Sequence, residues 1–162
     1  MKRIAPVLAV LFALGIVAAP ASAQSNPAEG TWKLLYRVLP DGTKVMPPKI
    51  VGLGSLIKGN RNLNVMWPGS DGKPSSYSLV STYKFSGNEY TETLSYSLFI
   101  DSASGQGPVY NQNRETKSVP IKRSGNRVEY KLPFDLPYIV IDGDTLTATA
   151  EGAFVDYWER VK

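Results

Sequence analysis

From residue 30 onward, short runs rich in Val, Ile, Leu, Thr and Tyr alternate apolar and polar side chains with a period of two, and Gly, Pro, Asn and Asp fall between the runs. A period of two turns successive side chains to opposite faces of an extended chain, so the pattern predicts strands. Strands are expected at about 30 to 39, 50 to 58, 62 to 67, 77 to 85, 89 to 100, 110 to 122, 127 to 132, 138 to 141, 145 to 150 and 153 to 161. Asp41-Gly42, Asp71-Gly72 and Asp142-Gly143, with Gly59-Asn60, Ser86-Gly87-Asn88 and Ser124-Gly125-Asn126, supply tight turns between them. No stretch of this region sustains a helical period. Ten strands joined mostly by hairpins favour an all-β fold, an antiparallel up-and-down β-barrel of about 8-10 strands, because closure leaves no edge unpaired. A two-sheet sandwich is the alternative. Segments 68 to 76 and 102 to 108 read as longer loops, and the Pro-bracketed segment 133 to 137 as a loop able to cover one barrel end.

Alternation also predicts which side chains face inward. Trp32, Leu34, Tyr36 and Val38 are expected on the inner face, with Thr31, Lys33, Leu35 and Arg37 outside. Val128, Tyr130 and Leu132 oppose Arg127, Glu129 and Lys131, and Leu146, Ala148 and Ala150 oppose three threonines. An outer-membrane barrel would show the same alternation turned inside out. Against that reading, Tyr36, Tyr83, Tyr96 and Tyr130 fall within strands rather than in two girdles, and the run from 127 to 132 is shorter than the ~9 to 11 residues a spanning strand needs.

The first residues break the pattern. Lys2 and Arg3 precede an apolar run from Ile4 to Val17, and the small triplet Ala21-Ser22-Ala23 is followed by Gln24. This is the three-part form of a secretory signal, and the apolar run falls short of a transmembrane helix. The expected division is a signal peptide over 1-23, a short linker over 24-29 and one β domain over 30-162. The destination is the periplasm or the extracellular space, with no transmembrane segment in the mature chain. Of the 18 basic residues, two leave with the signal, so 16 remain against 14 acidic ones, and they are dispersed. Nucleic acid is therefore not an expected partner.

The chain has no cysteine and no histidine. That excludes Ser-His-Asp and Cys-His nucleophilic units, thiolate or imidazole zinc sites, His-ligated haem and disulfides. No metal and no cofactor is expected. Asp142-Gly143-Asp144 lacks the rest of a calcium loop and reads as a turn.

Candidate binding residues come from the run 89 to 100, where strict alternation puts Tyr90, Glu92, Leu94, Tyr96, Leu98 and Ile100 on one face. A carboxylate between inward tyrosines must be protonated, hydrated or paired with a cation, because an unpaired buried charge costs several kcal/mol. Arg114 and Arg160 are the candidate partners. The expected ligand-binding set is Tyr83, Tyr90, Glu92, Tyr96, Arg114 and Tyr130 around one small hydrophobic or amphipathic molecule. A filled tyrosine-rich core with an internal ion pair is the competing reading.

Gly30-Thr31-Trp32 opens the first strand, and Tyr157-Trp158-Glu159-Arg160-Val161-Lys162 ends the chain. With Thr82-Tyr83 and Tyr90-Thr91-Glu92, this resembles the lipocalin and fatty-acid-binding (calycin) superfamily, and in particular exported bacterial lipocalin-like proteins. The resemblance implies that Trp32 closes the barrel floor with Arg160 packed over its indole, a structural role. It also implies interior carriage of a small ligand by a monomeric or weakly associated protein. The chain departs from larger lipocalins in lacking a disulfide and a helical segment before its last strand. Two other classes stay open. A filled barrel could serve as an interaction module through loops 69 to 76 and 102 to 108. A Tyr and Glu acid-base pair could isomerise or cyclise a lipophilic substrate, although no nucleophile stands paired with a base.

Overall fold

The computed structural model describes residues 26–162, so the expected signal peptide lies outside the described residues. Thirteen strands follow one another: β1 (Gly30–Val38), β2 (Lys44–Val45), β3 (Val51–Ile57), β4 (Asn60–Pro68), β5 (Pro74–Ser86), β6 (Glu89–Ile100), β7 (Val109–Asn111), β8 (Thr116–Pro120), β9 (Lys122–Ser124), β10 (Arg127–Lys131), β11 (Tyr138–Asp142), β12 (Thr145–Ala150) and β13 (Phe154–Arg160). A short 3-10 turn, Ser102–Ser104, lies between β6 and β7.

All the pairings are antiparallel and belong to one curled sheet, in the order β7-β6-β5-β4-β3-β1-β13-β12-β11-β10-β9. β8 pairs with β6, while β9 pairs with β10. Only Ile121 separates β8 from β9, and its N–H donates to the Asn88 carbonyl at 2.8 Å. Residues 116–124 therefore tie together the two ends of the strand order. Pro120 helps to bend this segment, because it has no N–H to continue a ladder.

The turn residues act as expected. At the β3–β4 hairpin Lys58 and Gly59 both take positive φ, 48° and 78°, the geometry of a two-residue turn matched to strand twist. Gly143 at φ 59° turns β11 into β12. Segment 68 to 76 is not a long loop: β4 runs to Pro68 and β5 starts at Pro74, with the Gly69 N–H donating to the Lys73 carbonyl at 2.8 Å. The single strand expected over 110 to 122 is instead three short ones. Asn111 and Asn113 accept from the N–H groups of Asn113 and Glu115, both at 3.1 Å, and these local turns displace a continuous ladder.

Two bulges correct the expected faces. In β1, Leu34 pairs with Trp158 and Tyr36 with the adjacent Tyr157, leaving Leu35 as an extra residue. In β6, Tyr96 pairs with Val80 and Leu94 with the adjacent Ser81, so Ser95 is the extra residue. One added residue inverts every side chain beyond it. Arg37 accordingly turns inward and is buried, while Tyr36 turns out to stack on Tyr157 with ring centroids 4.6 Å apart. Beyond Ser95, Tyr96, Leu98 and Ile100 leave the inner face, and Ser97 and Phe99 take their place opposite Leu79 and Tyr77. In β10 and β12 the faces are as expected, with Val128, Tyr130, Ala148 and Ala150 buried.

Candidate functional site

One end of the interior is filled. Tyr90 lies between Tyr83, Phe85 and Tyr130, with ring centroids 6.1, 4.9 and 4.7 Å away. Beside this cluster the Arg160 guanidinium sits 4.2 Å above the Trp32 ring, and the Trp32 Nε1–H donates to the Ala28 carbonyl at 3.0 Å. Arg160 also donates to the carbonyls of Pro27 at 2.7 Å, Gly143 at 3.1 Å and Glu29. A side chain at position 30 would meet this guanidinium at 2.6 Å, and φ there is +140°, so the glycine of Gly-x-Trp has a steric cause.

Above the filled end lies a buried polar layer. Inward alternation along β4 places Arg61, Leu63, Val65 and Trp67 on one face, and along β5 it places Tyr77, Leu79, Ser81, Tyr83 and Phe85. Arg61 donates to Glu92 Oε1 at 2.7 Å and to Asp135 Oδ2 at 2.8 Å. Ser81 donates to Glu92 Oε1 at 2.5 Å and Tyr90 to Glu92 Oε2 at 3.0 Å, while Tyr77 donates to Asp135 Oδ1 at 2.5 Å. Every oxygen of the two carboxylates is thus engaged, as burial of such groups requires. Burial works against the Arg61 charge, but attraction to Glu92 and Asp135 outweighs it and holds the pKa above its ordinary value. Burial also raises the phenols of Tyr77, Tyr90 and Tyr130, the nearby Asp135 carboxylate adding to the rise at Tyr77. These hydroxyls remain protonated donors at neutral pH, unsuited to act as bases.

Beyond the layer the interior is hollow. A cavity of about 420 Å³ is walled by Val65, Trp67, Phe99, Leu146 and Phe154, among others. The loop 133–137 contributes Phe134, Asp135 and Leu136 at its mouth, with Leu136 71% exposed. Arg37 and Asp156 form a second buried pair on this wall, Nε to Oδ1 at 2.6 Å and Nη2 to Oδ2 at 2.8 Å. The Arg37 guanidinium lies 3.7 Å from the centre of the Phe154 ring and 5.2 Å from that of Trp67. Burial lifts the Asp156 carboxyl above its ordinary value, with Arg37 pulling against that rise.

Of the residues expected to bind, Tyr130 lines the cavity. Glu92, wholly buried, lies in the polar layer, and Tyr83 and Tyr90 belong to the filled cluster. Tyr96 is on the outer face, 38% exposed, because of the Ser95 bulge. Arg114 is exposed in the turn between β7 and β8 at φ 52°, and neither it nor Arg160 pairs with Glu92, whose cation is Arg61. Arg61, Tyr77, Asp135, Arg37 and Asp156 are the polar groups that sequence reasoning missed. Starting the fourth strand at Asn60 rather than Asn62 would have put Arg61 in phase with Leu63, Val65 and Trp67. Asp135 carried a weaker signal, a lone charge within Pro133-Phe134-Asp135-Leu136-Pro137.

The described chain is thus a curled antiparallel sheet with a part-filled interior. No protein-family model and no curated protein matches it. Among solved structures it is similar to a lipocalin-like protein from Bacteroides uniformis, at 13% sequence identity and a TM-score of 0.36, over 84% of this chain and 100% of that one.

Proposed function

We propose that this protein binds one small hydrophobic or amphipathic molecule inside the curled sheet, which acts as a closed barrel, and that residues 1–23 direct its export to the periplasm or beyond. The observation carrying this reading is the cavity of about 420 Å³, within the size range of small-molecule sites, apolar over most of its wall and with a few fixed polar groups. Gly54 lines it from β3, where a larger side chain would project into the space. A water-facing exterior is supported by Lys33, Lys84, Arg127 and Lys131, all exposed.

The test is titration of the purified protein with N-phenyl-1-naphthylamine, a neutral fluorophore that brightens in apolar surroundings. Saturable brightening at one equivalent is expected. Gly54→Leu should weaken binding by about tenfold, near 1.4 kcal/mol, with an unchanged circular dichroism spectrum. A Cβ at position 54 would press on Leu63 Cδ1 at 3.3 Å, the far end of a flexible side chain that must shift by a few tenths of an ångström, while the nearest backbone atom, the Asn62 carbonyl oxygen, stays at 3.6 Å. Failure to brighten, or equal affinity in the variant, sinks the proposal.

A further inference from the structure

The exterior of the sheet divides into two unlike halves. On β10, β11, β13 and β1 the outward side chains include Arg127, Glu129, Lys131, Asp142, Glu159 and Lys33. On β3 to β7 the register instead lines up uncharged residues in rows across the strands. Val51, Met66, Ser76 and Ile100 form one row, and Leu53, Asn64, Ser78, Leu98 and Tyr110 the next. Ser55, Asn62, Val80 and Tyr96 form a third, and Ile57, Asn60, Thr82 and Thr93 a fourth. Charges return only at the margins of this face, at Lys58, Lys84 and Arg114. Large apolar side chains nevertheless stand open on it, Tyr110 being 64% exposed and Leu53 54%. A contiguous exposed patch of this kind marks a contact surface.

The face is also graded in size. Its middle strand, β5, carries Ser76 and Ser78, while the bulk sits on the flanks, Val51 and Leu53 to one side and Leu98 and Tyr110 to the other. Between the serines and the first flank lies a shallow depression. A curled sheet is convex outside, so two copies with even surfaces would touch only at the crown. Small residues at the crown and large ones at the flanks let two such faces meet across their whole width. A two-fold axis along β5 would set each row on its own copy, with Tyr110 against Leu53, Ile100 against Met66, and Ser76 and Ser78 on their counterparts. Close to that axis any charge would face its like, so a charge-free centre is the condition a self-contact must meet.

We propose that the protein forms a weak symmetric dimer through the outer face of β3 to β7, a contact separate from the interior cavity. Five strands at ~4.8 Å and seven residues at ~3.3 Å make a face of roughly 24 by 23 Å, about 550 Å². Two such faces bury about 1,100 Å², the small end of specific interfaces, which fits an affinity of about micromolar order or weaker. Lipid fits the face less well. Asn62, Asn64, Ser76 and Ser78 would enter hydrocarbon without partners, and a membrane-spanning barrel is apolar all round, unlike β10 and β11.

Sedimentation velocity of the purified protein over about 1–500 μM tests this, with a monomer-to-dimer shift expected within that range. Ser78→Arg, whose side chain would meet its own copy across the axis, should weaken the dimer at least tenfold with an unchanged circular dichroism spectrum. Ser78→Asp should do the same. Mixed in equal amounts, the two variants should associate at least as tightly as the parent protein, an outcome that requires position 78 of one copy to face position 78 of the other. Tyr110→Lys, on an exposed flank, should weaken the dimer about fivefold. A protein that stays monomeric up to about 500 μM overturns the inference. So does a dimer that Ser78→Arg leaves intact, or a pair of Ser78 variants that stay apart when mixed. Monomers that instead float with vesicles of phosphatidylethanolamine and phosphatidylglycerol would make the face a lipid contact and overturn it as well.

Discussion

The two ends of the interior are crossed by several of the same strands, yet one is solid and the other hollow. At the Arg160 end the inward positions of β5, β6 and β10 carry Tyr83, Phe85, Tyr90 and Tyr130, which meet one another ring to ring. Toward the other end β3 offers Gly54, the register partner of Trp32, and β6 offers Ser97, and the large side chains Trp67 and Phe99 stack on each other against the wall at 6.2 Å rather than filling the centre. Strand number does not distinguish these ends. The volume of the inward side chains does, and the Arg61 layer marks the boundary by turning one N–H group toward Glu92 beside Tyr90 and another toward Asp135 at the cavity mouth.

Truncation should break this contrast most visibly. Tyr90→Ala removes a wholly buried ring from a packed cluster, together with a hydrogen bond to Glu92, and should cost about 3–5 kcal/mol in urea unfolding. Phe99→Ala removes a ring that is 41% exposed and borders empty space, and should cost about 1 kcal/mol or less. Equal costs would mean that the hollow end is packed in solution.

Much of this architecture could be read from alternation and turn residues alone. The hairpins at Gly59, Gly87, Gly125 and Gly143 follow from glycines able to take positive φ, and the inner faces of β10 and β12 follow from strict alternation. The pairing of Trp32 with Arg160 was legible only through the resemblance of Gly30-Thr31-Trp32 and the Tyr157 to Lys162 run to the lipocalin superfamily, which implies it. The site was far less legible. Leu35 and Ser95, the two bulge residues, look like ordinary members of their runs, yet each reverses the residues beyond it. Uninterrupted alternation puts Arg37 in solvent and Tyr96 in the interior, the reverse of where the bulges place them. The remaining misses are pairings between distant segments: Arg61 lies 31 residues from Glu92 and 74 from Asp135, and nothing local to any of the three announces the others.

Alkaline titration sharpens the same contrast without a mutation. Burial raises the phenols of Tyr90 and Tyr130 above their ordinary value near 10, so the folded state keeps protons that the unfolded state gives up. Stability from this source is fully present below the unfolded value and is lost as pH climbs toward the folded one, by about 1.4 kcal/mol per buried tyrosine for each pH unit. Absorbance at 295 nm should therefore show these phenols ionising together with loss of the near-ultraviolet circular dichroism signal, and Tyr90→Phe should move that midpoint upward. Reversible ionisation near pH 10 in a still-folded protein would show that water reaches the filled end.

The smallest effect on binding is expected at the cap. Arg160 is held by the Trp32 face and by the backbone carbonyls of Pro27, Glu29 and Gly143, and its side chain is 21% exposed. Arg160→Ala should cost about 1–2 kcal/mol, since a partly exposed cation–π contact contributes ~0.5–2 kcal/mol and water can replace some of the hydrogen bonds. Arg160→Lys should recover little of that loss, because one ammonium cannot span three carbonyls and lie flat on an indole. Arg160 lies outside the cavity lining and touches it only through the Trp32 ring, which the Nε1–H bond to Ala28 also holds, so fluorophore affinity should stay within about twofold of the parent protein in both variants. A cap mutation that weakened binding as much as Gly54→Leu would mean that the two ends respond as one unit, coupled through Trp32, which Arg160 covers and which also lines the cavity beside Gly54.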